Sequence, residues 1–283
     1  MTDEVATFAA SDASSVAPTQ AELPAGDLGT LRGAVEALER STLVGRLSGM
    51  AGQPLEQLGR SLPAPVMEAV SRATEKALKA ALNVALKSLV SRPSLAGPTL
   101  HRVAAATSGA LGGALGLATL PLELPVSTIL MLRAIADIAR EEGEDLADPE
   151  TGLACLQVFA LGSRAGEDDL AQSGYFAVRG ALAKTMSEAA RVAATRGLAD
   201  GSAPALVRYV AQIASRFGVV VSQKVAAGAV PVIGAIGGAA VNAAFMEHFR
   251  TVARAHFTVR RLERDHGREV VAEAYERLRI QLA

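Results

Sequence analysis

The fold is decided by residues 64–91, which have the sequence APVMEAVSRATEKALKAALNVALKSLVS. Apolar residues recur in this stretch at intervals of three and four, and most of its charged residues lie between them. This spacing gives an α-helix one apolar stripe and one polar face. Arg92-Pro93 ends the pattern, because proline disfavours helical geometry in the residue before it. The stretch therefore predicts a long amphipathic helix whose apolar stripe packs against other elements.

The same periodicity continues on both sides and predicts an all-α protein built as a multi-helix bundle. Helical patterns begin near Leu31, near residue 120, and at residues 149, 168 and 205. Asp148-Pro149 resembles an N-cap followed by proline in the first helical position. An amphipathic segment closes the chain at residues 247–282, with Gly267 as a predicted break.

The composition favours helices that pack closely and excludes several classes of protein. Half of the 283 residues are apolar, and only 4% are aromatic. A chain this apolar can bury a sizeable core, and a sheet-rich fold would use more aromatic residues. The net charge of −1 offers no field that would recruit nucleic acid, and we expect no nucleic-acid partner. The single cysteine, Cys155, suits a reducing compartment.

The first 30 residues differ from the rest of the chain. They contain five acidic residues and no Lys or Arg, with Ser, Ala, Thr and Pro among the remainder. This composition is typical of a disordered acidic tail and lacks the basic start of a secretory signal. We therefore predict a tail at residues 1–30 and a single helical domain at residues 31–283.

Two stretches are nearly free of charge and rich in glycine and alanine. Residues 103–132 contain one charged residue, Glu123, between Pro121 and Pro125, and residues 225–246 contain none. Breaks near their centres predict two buried apolar helical hairpins. Small residues at helical spacing would let helix backbones approach closely in both. The candidates for membrane or ligand contact are Gly109, Gly113, Gly116, Gly234 and Gly238.

Three arrangements of these hairpins remain open at this point. They can pack on each other inside a soluble bundle, insert partly into a membrane, or line a cavity for an apolar ligand. Their length suffices for a membrane span, which needs about 20 residues. Glu123 opposes a stable span, because a carboxylate near a bilayer centre costs about 3 kcal/mol.

Five polar residues are candidates for a functional cluster. Arg133 and Asp137 are four residues apart and can pair on one helix face, whereas Glu123 needs a partner if it is buried. Asn242 and His256 complete the set. The cluster is either a structural network or a functional site. The arginine-rich segment 247–282 similarly allows a solvated face or a surface for an anionic membrane.

No motif for catalysis, a metal or a cofactor is present in the sequence. The chain lacks a phosphate-binding glycine loop, a dinucleotide fingerprint, a nucleophile elbow and paired Cys or His metal motifs. We therefore expect a protein that is not an enzyme and that uses no metal or cofactor.

Two blocks of the sequence resemble the EcsC family, and the resemblance covers residues 62–275. The first block comprises LPLELP at 120–125, RAIADIAR at 133–140, GED at 143–145 and CLQVF at 155–159. The second comprises PVIGA at 231–235, Asn242, Phe245, AHF at 255–257 and RLE at 261–263. The resemblance implies a bacterial protein linked to transport or secretion, and it supplies no catalytic residues.

These features together predict a helical protein that engages a bilayer or the helices of a membrane-protein partner through its Gly/Ala-rich hairpins. We expect it in the cytoplasm or at the inner face of the cell membrane. The alternative is a soluble protein that encloses a lipid or another apolar ligand.

Overall fold

Eight helices and no strands make up the part of the chain that the computed structural model describes, which confirms the all-α prediction. The described residues are 22–40, 62–87, 120–163, 174–196, 203–228 and 238–282, with the single positions 43, 46 and 89. The helices are α1 (Ala25–Arg40), α2 (Ala64–Lys87), α3 (Leu120–Glu141), α4 (Pro149–Leu161), α5 (Tyr175–Arg196), α6 (Pro204–Gly228), α7 (Gly238–His266) and α8 (Arg268–Leu282).

Helix α4 lies at the centre of the bundle. It contacts α2, α3, α5, α6 and α7, and every residue from Thr151 to Leu161 is buried. This stretch contains no charged side chain, so no face of the helix needs contact with water. Asp148 caps α4 as predicted, since its Oδ1 accepts a hydrogen bond of 2.8 Å from the backbone N–H of Glu150.

Four phenylalanines pack together in the core where α4, α6 and α7 meet. The rings of Phe159 and Phe217 have centroids 4.9 Å apart, and Phe249 packs against Phe159 at 5.3 Å. Phe245 extends the group, with its centroid 5.2 Å from that of Phe249. These tilted and edge-on contacts are favoured geometries for aromatic pairs and fix the spacing of the three helices.

Helices α2, α3 and α7 start at one end of the bundle, and α6 finishes there. Met67 near the start of α2 contacts Ser222 of α6, with 3.6 Å between Sδ and Oγ. Glu123 in the first turn of α3 contacts Lys224 of α6 and Asn242 of α7. We call this end, formed by residues 64–67, 120–126, 219–228 and 238–246, the hairpin end.

Helix boundaries differ from the sequence prediction at the amino-terminal side. Helix α1 begins at Ala25, before the predicted domain start at residue 31. Leu23 is buried, and Asp27 bonds His266 at 2.8 Å, so contacts with α7 and α8 organise residues assigned to the tail. Residues 1–21 lie outside the described part of the chain.

The predicted break between the last two helices is confirmed at Gly267. Its φ of +91° is in the left-handed region, which glycine adopts without the penalty that a Cβ imposes. Of the predicted contact glycines, Gly238 is the first residue of α7, whereas the other four lie outside the described residues: Gly109, Gly113, Gly116 and Gly234.

Candidate functional site

The candidate site is a buried polar group at the hairpin end, centred on Glu123. Its Oε1 accepts hydrogen bonds from Lys224 Nζ at 2.9 Å and from Asn242 Nδ2 at 3.1 Å. The carboxylate therefore joins three helices, α3, α6 and α7. The sequence predicts Glu123 and Asn242 as members of a polar cluster, and the structure brings these two together.

The partner of Glu123 that the sequence pattern did not predict is Lys224. Only 8% of its side chain is exposed, compared with 14% for Glu123. Burial lowers the pKa of Lys224, and the charge of Glu123 opposes that effect. The Nζ atom also lies 5.0 Å from the ring centre of Phe245, which gives the ammonium a cation–π contact.

A signal for this pairing is present in the sequence. Glu123 is the sole charged residue in 103–132, and Lys224 is the sole charged residue in 217–246. Two lone charges of opposite sign in apolar segments need each other if both segments are buried. This comparison across distant segments makes the two residues candidates for a pair, and the tertiary structure shows that they meet.

Large apolar side chains are exposed around this polar group. Leu122 is 74% exposed and Val126 51% exposed, one helical turn apart on α3. Met67 on α2 and Val219 on α6 are also exposed, and Ser222, which contacts Met67, lies one turn from Val219. An apolar surface near the start of α3 thus accompanies the buried ion pair.

Both uncharged segments of the sequence join the bundle at this end. Residues 103–119 lead directly into α3 at Leu120, and residues 229–237 connect the end of α6 to the start of α7. Among the described residues, one helix, Pro204–Ala227, is long and apolar enough to cross a membrane. Half of the residues in the most apolar part of this helix are buried inside the bundle.

The remaining candidates of the polar cluster lie elsewhere. Asp137 accepts a 3.2 Å hydrogen bond from Arg140. Asp137 and Arg133 both lie farther along α3 than Glu123. A helix rises 1.5 Å per residue, so Asn242 and His256 lie about 21 Å apart along α7, and His256 is not part of the polar group at Glu123.

His256 belongs to a second buried group. Its Nδ1 and the Tyr175 hydroxyl form a hydrogen bond of 2.9 Å, and Arg179 donates to the same hydroxyl at 3.1 Å. Arg179 also binds both carboxylate oxygens of Glu263, at 2.7 and 2.9 Å. Burial, followed by the charges of Arg179 and Arg260, lowers the pKa of His256 well below 6.5. The imidazole is therefore neutral and couples α5 to α7.

The arginines of α7 are largely occupied by the acidic loop after α3. Arg260 binds both carboxylate oxygens of Glu144, at 2.8 and 3.0 Å, and Arg264 contacts the same carboxylate. Arg261 binds Glu142 at 2.9 Å. These ion pairs hold the loop on α7, while the side chains of Arg261 and Arg264 remain 36% and 41% exposed.

The described residues contain no group of three His, Cys, Asp or Glu side chains that could hold a metal ion. His248, for example, uses Nε2 to donate a 2.8 Å hydrogen bond to the carbonyl of Gly162. The arrangement at Glu123 supports the formation and breaking of an ion pair at the point where α3, α6 and α7 meet.

Comparison with known proteins identifies a family. The model of the EcsC protein family matches residues 31–262, which is most of the chain. Searches of curated proteins and of solved structures found no match. The match includes the start of α3, the end of α6 and the start of α7, where Glu123, Lys224 and Asn242 meet. The chain therefore belongs to the EcsC protein family.

Proposed function

We propose that the protein associates reversibly with a lipid bilayer, or with the apolar helices of a membrane protein, through its hairpin end. It acts as a non-enzymatic, membrane-associated helical protein linked to transport or secretion. We place it in the cytoplasm, at the inner face of the cell membrane.

The observation that carries this proposal is the convergence of apolar features on one end of the bundle. Two uncharged segments join the helices there, at residues 103–119 and 229–237. The exposed side chains of Leu122 and Val126 lie beside the first of these junctions. Transfer of exposed apolar surface from water into lipid lowers the free energy by about 25 cal/mol per Å², which favours association of this end with a membrane.

The ion pair at Glu123 supports a reversible form of that association. A carboxylate or an ammonium in hydrocarbon is costly by itself, whereas the pair with Lys224 is internally compensated. A bundle that neutralises its own charges at this end can present apolar surface without also presenting charge. Because the arginines around residues 260–264 bind Glu142 and Glu144, we assign the contact to the apolar end rather than to the basic helix.

The test is flotation of the full-length protein with neutral phosphatidylcholine vesicles and with phosphatidylglycerol vesicles. Leu122→Asp removes apolar surface at the hairpin end, and Ile280→Asp is its matched control on α8, since the two side chains are 74% and 71% exposed. We expect Leu122→Asp to weaken vesicle binding by about tenfold or more. Ile280→Asp should bind as the unmodified chain does.

Two outcomes would overturn direct association with a bilayer: no flotation of the unmodified chain with either vesicle, or equal flotation of both variants. Circular dichroism of the variants establishes that both retain the helical fold. If the unmodified chain does not float, native mass spectrometry that finds a co-purified lipid would favour the alternative of a soluble protein enclosing an apolar ligand.

A further inference from the structure

A groove of about 480 Å³ lies between α1 and α7, away from the hairpin end. Small residues of α1, namely Gly33, Ala34 and Ala37, form one wall and leave room for a ligand. The opposite wall comes from α7 and carries charged and hydroxyl groups: Glu247, Arg250, Thr251, Arg254 and Thr258. The volume is within the range of small-molecule sites, roughly 300–1,000 Å³.

Arg250 in this wall is largely buried, and its side chain makes no hydrogen bond among the residues that the structure describes. Its side chain is 13% exposed, and its Nε lies 4.0 Å from Oε2 of Glu247, beyond hydrogen-bond distance. Within the described part of the chain, no other acidic group pairs with it. A guanidinium carries five N–H donors, so a ligand with acceptor oxygens in the groove can bond to Arg250.

Two further arginines lie beside Arg250. Arg46 donates a 2.9 Å hydrogen bond to Oγ1 of Thr251, the next residue of α7. Arg254 lies one turn further along and is held by Glu141 at 2.9 Å and by Glu142 at 3.9 Å. Glu247 is the one acidic residue among those that line the groove.

We propose that this groove binds a phosphate group, with Arg250 as the principal donor. The planar guanidinium matches the geometry of phosphate oxygens and binds two of them at once. The guanidinium of Arg254 lies on the same wall and would complete the contact. The phosphate belongs either to a small soluble phosphoester or to a lipid headgroup.

The test is calorimetric titration of the full chain with inorganic phosphate and with glycerol 3-phosphate, at constant ionic strength. Arg250→Gln removes the guanidinium and its charge. Gly33→Leu fills the groove without changing charge, and a Cβ at that position meets no atom within 4 Å. Arg268→Gln is the charge-matched control, because this residue is exposed and does not line the groove.

We expect saturable binding that both groove variants weaken about tenfold or more, since charge-assisted hydrogen bonds carry it. The control should bind as the unmodified chain does. A parallel flotation with phosphatidylglycerol vesicles distinguishes the sources: dependence on Arg250 only in flotation assigns the phosphate to a headgroup. If neither titration nor flotation depends on Arg250, the proposal is overturned.

This proposal and the one for the hairpin end can fail separately. Leu122→Asp should leave the phosphate titration unchanged, because α3 contributes only Ile138 to the groove. Gly33→Leu should leave flotation with neutral vesicles unchanged. A phosphate site that persists in a chain unable to float would support the groove and contradict membrane association.

Discussion

The Nζ atom of Lys224 lies 2.9 Å from Oε1 of Glu123, although the two residues are 101 positions apart in the chain. Both side chains are mostly buried, and Asn242 donates to the same carboxylate oxygen. A buried charge without its partner is far more costly than the intact pair, because neither water nor another ion compensates it. The stability of the hairpin end therefore depends on both charges being present or both being absent.

Removal of one charge from this pair should be strongly destabilising. We expect Glu123→Gln or Lys224→Met to lower the free energy of unfolding by about 3–5 kcal/mol. The double variant Glu123→Leu/Lys224→Met should recover much of that loss, because an apolar pair needs no compensation. Urea denaturation followed by circular dichroism measures both effects.

The control for the buried pair is the ion pair of Arg208 and Glu188, at 3.0 Å and with 59% and 33% of the side chains exposed. Arg208→Gln should change stability by less than about 1 kcal/mol, as exposed pairs do. A double variant at the buried pair that is less stable than either single variant would contradict the interpretation.

The second prediction concerns Glu144, which holds the loop after α3 against α7. Its side chain is 5% exposed and binds Arg260 and Arg264, so Glu144→Gln should cost about 3 kcal/mol. Glu141→Gln is the matched control, because Glu141 is 56% exposed in its single pair with Arg254. It should cost less than about 1 kcal/mol. Equal losses in the two variants, measured by urea denaturation, would refute a special role for Glu144.

The ion pairs of Glu144 also predict a dependence on pH. Burial raises the pKa of this carboxyl, but hydrogen bonds and charges from Arg260 and Arg264 outweigh burial and lower the pKa below 4.5. The contribution of Glu144 is therefore complete above pH 4.5 and is lost as the pH falls through the lower folded-state pKa. Stability of Glu144→Gln should depend less on pH in this acidic range.

The third prediction is a pH dependence at milder acidity that arises from His248. Burial lowers its pKa from 6.5 to about 4, and its Nε2 donates to Gly162. Between these two values the unfolded chain binds one more proton than the folded chain, so stability falls as the pH falls. The difference amounts to about 3 kcal/mol for this group.

His248→Gln keeps a side-chain N–H donor but cannot titrate. We expect the unfolding free energy of this variant to vary less between pH 7 and pH 4 than that of the unmodified chain. The slope of unfolding free energy against pH should be smaller by the amount that corresponds to one proton. The measurement is a series of urea titrations across this range. Parallel pH profiles for the two proteins would show that His248 is not buried in its neutral form.

The fourth prediction tests the packing at the end of α4. A Cβ at Gly162 would lie 2.6 Å from Cε1 of Phe249 and 3.1 Å from Nε2 of His248. Gly162→Ala should therefore destabilise the protein by about 1–3 kcal/mol, because the aromatic core must shift. Thermal unfolding of the variant measures this loss.

Gly180 on α5 provides the matched control for Gly162. A Cβ there meets no atom within 4 Å, so Gly180→Ala should stabilise the protein by about 0.5–1 kcal/mol through helix propensity. Opposite signs for the two substitutions are the expected result. A neutral or stabilising Gly162→Ala would mean that the end of α4 is less tightly packed.

Local chemistry let the sequence by itself determine most of the helices and some of their limits. Asp148 caps α4, Gly267 separates α7 from α8, and the amphipathic stretch at 64–91 forms α2 from Ala64 to Lys87. Each of these signals acts over one or two turns, because helical hydrogen bonds join residues only four positions apart. Such signals are visible in a single sequence.

Only the tertiary structure decided which polar groups meet. It paired Glu123 with Lys224, placed His256 with Tyr175 in a separate group, and joined Arg260 to the acidic loop. A buried charge selects its partner by the packing of whole helices, and the sequence separation of the two residues carries no information about that packing. The helices were thus determined locally, whereas the candidate sites arise from the way the helices pack.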